Sequence, residues 1–361
     1  MKTTDINSSC GKMCLSAWKV SRGKLFAIGV SVIVSMILAT AKSTQVPPLV
    51  PFFYRCLGAA SVLLCISIYS CGYGIVTQIT GHWKLLLVRS VCDGSSAGFI
   101  WMSLSFFPLT EIGFVLQTQA AFTMLVAFII LREKPSLFQI ICAVGATIGA
   151  IIFMQPPILG FPERVDAVAK SADVADSSGI RFYFGLATVV CGLLTFAFGA
   201  TMMRMISTSG EIHWAVAGML QGISGAFFSL LALYLTGSVA FIFAICTVRI
   251  RCSIGAIVLL AVALQGGFFF SMKYEKASLL PILLTTQVVF MPIADFLLYH
   301  TLPLLNIFHY TGSVVILVSV LSLFVAKHLS VVRFEKRRQE QKTDLELEEF
   351  DPNHQQTSTS T

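Results

Sequence analysis

Residues Thr118–Phe122 read TQAAF and residues Thr286–Phe290 read TQVVF. The phrases stand 168 residues apart, each inside an apolar segment, and the register extends beyond them. At the same offset Thr110 meets Ser278, Gln119 meets Gln287, Phe122 meets Phe290, Phe128 meets Phe296 and Pro135 meets Pro303. Agreement at one offset across Thr110–Pro135 marks two copies of one unit.

The solvent for these copies is set by composition. Of 361 residues, 56% are hydrophobic and 12% charged, with a mean hydropathy of +0.81, against roughly a quarter charged in soluble domains. Such a chain belongs in a bilayer. About 20 mostly apolar residues cross the hydrocarbon layer, and by that rule ten spans are predicted: 24–41, 49–71, 85–106, 109–131, 136–155, 181–203, 213–235, 253–272, 277–299 and 304–327. The apolar stretch at 236–252 is too short to span and reads either as an interfacial segment or as an extension of the seventh helix. The run ending in Ala39-Thr40-Ala41 resembles a signal-peptide cleavage site, but the long basic segment before it reads as the flank of an uncleaved first span.

Ten spans in two copies place five in each, and an odd number makes the second copy enter the membrane in the opposite sense. The expected fold is therefore an all-α membrane protein with ten transmembrane helices in two inverted five-helix repeats. Its predicted parts are a cytoplasmic tail (1–23), a first repeat (24–155), a non-cytoplasmic loop (156–180), a second repeat (181–327) and a disordered cytoplasmic tail (328–361). Both termini fall on the cytoplasmic side because Lys84, Arg132, Lys134, Arg204, Lys273, Lys276 and the tail's basic residues share that side. The net charge of +7 thus orients the chain, and no nucleic-acid partner is implied. Plasma membrane, endoplasmic reticulum and Golgi all fit.

Polar residues inside the spans are the candidate site, because hydrocarbon rejects them unless they face a cavity or a partner. Arg89 and Asp93 lie four residues apart on one helical face, either as part of a substrate site or as a self-neutralised structural pair whose Arg89 snorkels to the interface. Arg55 in FFYRC lies several residues into the second span, with Tyr54 beside it. Gln117 and Gln119 point about 200° apart at 100° per residue, one toward a cavity and one toward a neighbouring helix. Gln287 repeats Gln119, while Gln221 and Gln265 add amides on the seventh and eighth spans. Trp101 and Phe122, with Tyr54, are the candidate aromatic walls. Asp295 is a lone acid late in the ninth span, read either as a coupling group or as an interfacial residue. Gly145 and Gly149 in GATIG form a small-residue face for helix packing, within the chain or, as the second reading, across a homodimer.

Enzyme chemistry has no anchor here. His82, His213, His300, His309 and His328 stand singly near span ends, without metal-ligand spacing or a nucleophile partner. The ten cysteines show neither a disulfide framework nor a zinc pattern. No cofactor is expected.

The block RSVCDG (Arg89–Gly94), FFPLTEIGFVLQTQAAF (Phe106–Phe122), FIILREKPSLFQ (Phe128–Gln139) and GATIGAIIFMQPPILG (Gly145–Gly160) resembles the EamA domain of the drug/metabolite transporter superfamily. YEKASLLPILLTTQVVFMPIADFLLY (Tyr274–Tyr299) repeats it. FYRC at Phe53–Cys56, LREK at Leu131–Lys134, QPPILG at Gln155–Gly160 and EKA at Glu275–Ala277 are most similar to the solute carrier 35 family, G subgroup. The resemblance implies a ten-helix carrier. Two departures stand out: relatives tend to carry a proline where this chain has Thr118-Gln119-Ala120-Ala121, and often an acidic residue where it has Gln287.

The expected function is a multipass secondary transporter that moves a small polar, anionic organic metabolite by alternating access. Arg55 and Arg89 would recognise charge, and Gln117, Gln119, Gln221, Gln265 and Gln287 would hydrogen-bond the solute. The competing reading is a non-transporting membrane protein that regulates a partner through its cytoplasmic tail, FEKRRQEQKTDLELEEF (Phe334–Phe350).

Overall fold

A computed structural model describes residues 4–44, 46–107, 112, 115–132, 136–154, 177–243, 247–274, 284, 287, 290, 293, 310–319 and 321–322. The described residues contain helices and turns and no strand. In chain order the helices are α1 (Thr4–Ser43), α2 (Leu49–Cys71), α3 (Gly74–Gly81), α4 (Trp83–Ser103), α5 (Gln119–Leu131), α6 (Leu137–Met154), α7 (Ser177–Ser209), α8 (Trp214–Leu235), α9 (Ala240–Phe243), α10 (Val248–Tyr274) and α11 (Tyr310–Ser319).

Five of these contain segments long and apolar enough to cross a bilayer: Leu25–Ser43 of α1, Leu49–Cys71, Phe182–Ser209 of α7, Trp214–Leu235 and Val248–Tyr274. Helix α4 has the length but carries Lys84, Arg89 and Asp93, so only packing against other helices makes it tolerable in hydrocarbon. Side chains such as Leu57, Ile68, Ile129, Phe227 and Leu235 lie exposed on the outer faces. Water would penalise so much apolar surface; acyl chains do not. The protein is an integral membrane protein.

Element ends follow from local chemistry. Pro47 and Pro48 precede α2, and Gly72 closes it at φ 52° with its N–H donated to the Ile68 carbonyl at 3.0 Å, a left-handed position that glycine takes without a Cβ clash. At the start of α8, His213 accepts the Ala215 N–H on its imidazole at 3.4 Å. Burial holds that imidazole below its usual pKa, which favours the neutral form that has an acceptor nitrogen.

Several boundaries differ from the sequence expectation. The 236–252 stretch forms the separate helix α9 and contributes its end to α10, which begins at Val248 rather than at 253. Helix α7 runs to Ser209, so Arg204 is not a loop residue. Its guanidinium donates to the carbonyls of Met272 and Lys273 near the last described turn of α10. The fourth span is interrupted: a 3₁₀ turn at Leu116–Thr118 precedes α5. The TQ pair therefore sits on a change of helix type, and no proline is needed to make it.

Helix α4 packs most extensively on α7, α2 on α8, and α1 on α10, with further contacts of α8 with α4, α5 with α7, and α10 with α2. Ser31 of α1 donates to the Leu284 carbonyl at 3.4 Å. These seams are made of small residues. A Cβ at Gly222 of α8 would stand 2.9 Å from both the Cβ of Ala60 and the carbonyl oxygen of Cys56 on α2, so the two backbones touch where only glycine fits. The GATIG face is filled inside the chain by α11, whose Ser319 and Ile316 lie against Gly145 and Gly149.

Gly222→Val is expected to destabilise the protein by about 1–3 kcal/mol through overpacking, whereas Gly255→Val, where a Cβ meets nothing within 4 Å, is expected to be silent. Thermal unfolding in detergent checks this; equal melting of the two variants would contradict the close α2–α8 approach.

Candidate functional site

Polar side chains from α2, α4, α5, α8, α10 and the segment around Gln287 converge on one cavity of about 130 Å³, room for several waters or a small solute. Arg55, Asp93, Gln119, Gln221, Gln265 and Gln287 line it, and Trp101, Phe196 and Phe268 form aromatic wall. Aliphatic residues of α1, including Val30, Val34 and Ile37, close another side.

Arg55 is 8% exposed. Its guanidinium carbon lies 5.8 Å from the ring centroids of both Phe52 and Trp101, which themselves pack at 5.3 Å. Ring faces attract a cation but do not neutralise it. Among the described residues, no carboxylate lies within ion-pair distance of Arg55. The positive charge of Arg55 at the cavity is thus unneutralised among the described residues, in a low-dielectric setting where charge is costly until it is matched.

Arg89 has a different place. It is fully buried, which corrects the expectation that it snorkels to the interface. It sits one layer behind the cavity wall and is absent from the lining. Its Nη2 meets Asp93 Oδ2 at 3.2 Å and donates to Gln221 Oε1 at 3.1 Å, while Nη1 donates to the Ala217 carbonyl at 2.6 Å. Nε has no partner among the described residues. One guanidinium thus joins α4 to α8 and orients two lining groups, Asp93 and Gln221. Asp93 fits because α7 presents Gly199 to it; a Cβ there would collide with Oδ1.

The amides of Gln119 and Gln287 both face this cavity, at equivalent positions of the two TQ motifs. Gln287 is 3% exposed and its Oε1 has no hydrogen-bond partner among the described residues, a buried acceptor that a bound donor would satisfy. Of Gln117 only the backbone is described, and Asp295 lies outside the described residues.

Two expected aromatic walls are elsewhere. Tyr54 donates its hydroxyl to the Ile242 carbonyl at 2.8 Å, tying α2 to α9, because the position before Arg55 points about 100° away from it. Phe122 packs half-buried in the main core cluster. Phe52, Phe196 and Phe268 went unread in the sequence. Phe52 was accessible as the residue one turn before Arg55, whereas Phe196 and Phe268, with ring centroids 6.0 Å apart, look like any of the 29 phenylalanines.

Removing Arg89 alone leaves Asp93 as an uncompensated buried charge. Arg89→Leu is expected to cost about 3–5 kcal/mol, and adding Asp93→Leu to recover most of it. Thermal melting of the single and double variants decides; an additive loss would mean that the pair is not coupled.

No curated protein matches the chain in sequence. A solved structure titled "Crystal structure of protein" superposes with a TM-score of 0.60 over 86% of this chain and 99% of that one, at 15% identity. That likeness speaks for the fold alone. Residues 21–155, which supply Arg55, Arg89, Asp93, Trp101 and Gln119, match the model of the EamA-like transporter family.

Proposed function

We propose that the protein is a secondary carrier for a small polar organic anion, working by alternating access with both termini in the cytoplasm. The observation that carries the reading is Arg55, a cation without a carboxylate partner among the described residues, set beside a pair of packed aromatic rings on a cavity with four amide side chains. A bound anion would neutralise Arg55 at short range, and charge-assisted hydrogen bonds in a dry site are stronger than in water. Gln119, Gln221, Gln265 and Gln287 would orient the rest of the solute, and Trp101 would cover its apolar part.

The carrier mechanism draws on the inverted-repeat reading, with repeats at 24–155 and 181–327. Exchanging the first five spans with the second five turns the α4–α7 contact into α10–α1 and the α4–α8 contact into α10–α2, and both partners of each exchange are present. The α2–α8 and α6–α11 contacts map onto themselves. This pattern supports a pseudo-twofold arrangement, which provides two related conformations open to opposite sides. The match of residues 21–155 to a transporter family supports the same reading, and so does the resemblance to the solute carrier 35 family, G subgroup.

The test is uptake into proteoliposomes of labelled carboxylates, sulfonates, nucleotide sugars, amines and neutral solutes. Saturable uptake of an anion is expected in the wild type, lost by tenfold or more (about 1.4 kcal/mol) in Arg55→Gln while the protein elutes and melts normally. Uptake of a neutral solute or an amine unaffected by Arg55→Gln would overturn the anion reading. No uptake of any solute by folded protein would shift weight to the tail-mediated interaction protein, for which deletion of 335–361 is the next step.

A further inference from the structure

Arg55 and Asp93 line the cavity together, yet only Asp93 has a partner of opposite charge: Arg89, one layer back. Counted among the described residues, the site carries Arg55 as a net positive charge and Arg89–Asp93 as a neutral pair. The pair is lopsided. Arg89 is fully enclosed and anchored to α8 through Ala217 and Gln221, whereas Asp93 borders the cavity and is reachable from it. Whatever enters the cavity can alter the charge of Asp93 but cannot move Arg89.

We propose that Asp93 carries a coupled proton, and that its protonation unmasks the Arg89 charge so that a dianion enters with one proton while a monoanion enters with none. This rests on the anion-carrier reading above. The proton passes from the aqueous side to a carboxylate oxygen of Asp93; the Arg89–Asp93 ion pair becomes a neutral-acid hydrogen bond, and the positive charge of Arg89 is left a few ångströms behind the cavity wall. In a low-dielectric site an occupied cavity is most stable when its charges balance. Arg55 alone balances one negative charge; Arg55 with the uncovered Arg89 balances two. By reciprocity, a dianion strengthens proton binding by the same factor that the proton strengthens dianion binding.

The surroundings leave Asp93 as the group that switches. On its own helix the neighbours are Arg89 and Cys92, and α2 contributes Arg55 and Cys56. Helix α7 presents Gly199, α8 the Gln221 amide and the Ala217 carbonyl, and α10 the Gln265 amide. A carboxylate paired with Arg89 and with no second acid beside it among the described residues adds one proton, not a shared one.

The experiment measures initial uptake into proteoliposomes at pH 6.5 and 8.0, the same on both sides of the membrane, for the monoanions lactate and methanesulfonate and the dianions sulfate and ethane-1,2-disulfonate. All four hold their charge over this range, so only the protein titrates. In the wild type, dianion uptake is expected to rise at least about fivefold at the lower pH, within the tenfold per pH unit that one proton allows, while monoanion uptake stays within about twofold. In Asp93→Asn, which keeps a carbonyl acceptor for Arg89, dianion uptake is expected to be high and flat with pH. Equal pH dependence for both charge classes, or a pH-dependent dianion response that persists in folded Asp93→Asn, would overturn the proposal and leave the anion carrier standing. If Asp93→Asn does not fold, the wild-type comparison decides alone. Absence of Arg55-dependent uptake for all four probes and for the anions of the wider panel above would overturn both readings.

Discussion

A guanidinium with no access to water at the α4–α8 seam constrains the rest of the structure. Arg89 cannot be held in hydrocarbon without an opposite charge, so α4 must carry Asp93 one turn later. It cannot be held by one carboxylate alone, so α8 supplies the Ala217 carbonyl and the Gln221 amide oxygen. The two partners on α8 fix its depth and rotation relative to α4. Asp93 in turn requires Gly199 on α7. A single buried charge therefore sets the mutual positions of α4, α7 and α8, and the cavity forms where their polar partners surface.

Close helix approach makes such a network attainable. A guanidinium reaches a neighbouring backbone carbonyl only if the helices are near, and nearness comes from glycine and alanine at the seams. Gly94 of α4 faces Ser224 and Gly225 of α8, and the Ser224 hydroxyl donates to the Ser90 carbonyl. Gly222 and Gly225 of the same helix face Ala60 and Cys56 of α2. Helix α8 thus uses one small-residue stripe against two partners, and the cavity opens beside that stripe, where the larger polar chains Arg55, Gln221 and Gln265 begin.

How much of this was legible in the sequence depends on whether the signal was periodic or relational. Membrane residence and the placing of the long spans follow from hydropathy, and Gln119, Gln287, Arg55 and Asp93 were singled out because hydrocarbon makes any polar residue conspicuous. The pairing of Arg89 with Asp93 was legible in their four-residue spacing, but the depth of Arg89 was not. A guanidinium near the start of a span is read as interfacial, and only the burial of Trp83–Ser103 among α2, α7 and α8 puts it in the interior. The same limit applies to Tyr54 and Phe122, chosen as aromatics near polar residues: rotation about the helix axis decides which face a side chain takes, and two neighbours differ by about 100°. Arg204 looked like a loop charge because the sequence cannot say that α7 overruns its apolar stretch to bring the guanidinium to the Met272 and Lys273 carbonyls of α10.

The two TQ phrases bring these strands together. Residues 168 positions apart in the chain, Gln119 and Gln287, are brought to the walls of one cavity. Two equivalent positions of a repeat can meet at a common volume only if they lie near the axis that relates the copies; positions far from it are carried to opposite faces of the molecule. On the repeat reading proposed above, the polar phrase would be written twice because it sits near the axis, where both copies contribute to the same surface. The charged residues are not written twice. Arg55, Arg89 and Asp93 all belong to the first copy, while the second supplies the amides Gln221, Gln265 and Gln287. In the proposed carrier, hydrogen bonding at the cavity would be shared by both halves while its charge, among the described residues, would be fixed to the first. Relative motion of the halves would then change a solute's hydrogen bonds while leaving its ion pair intact.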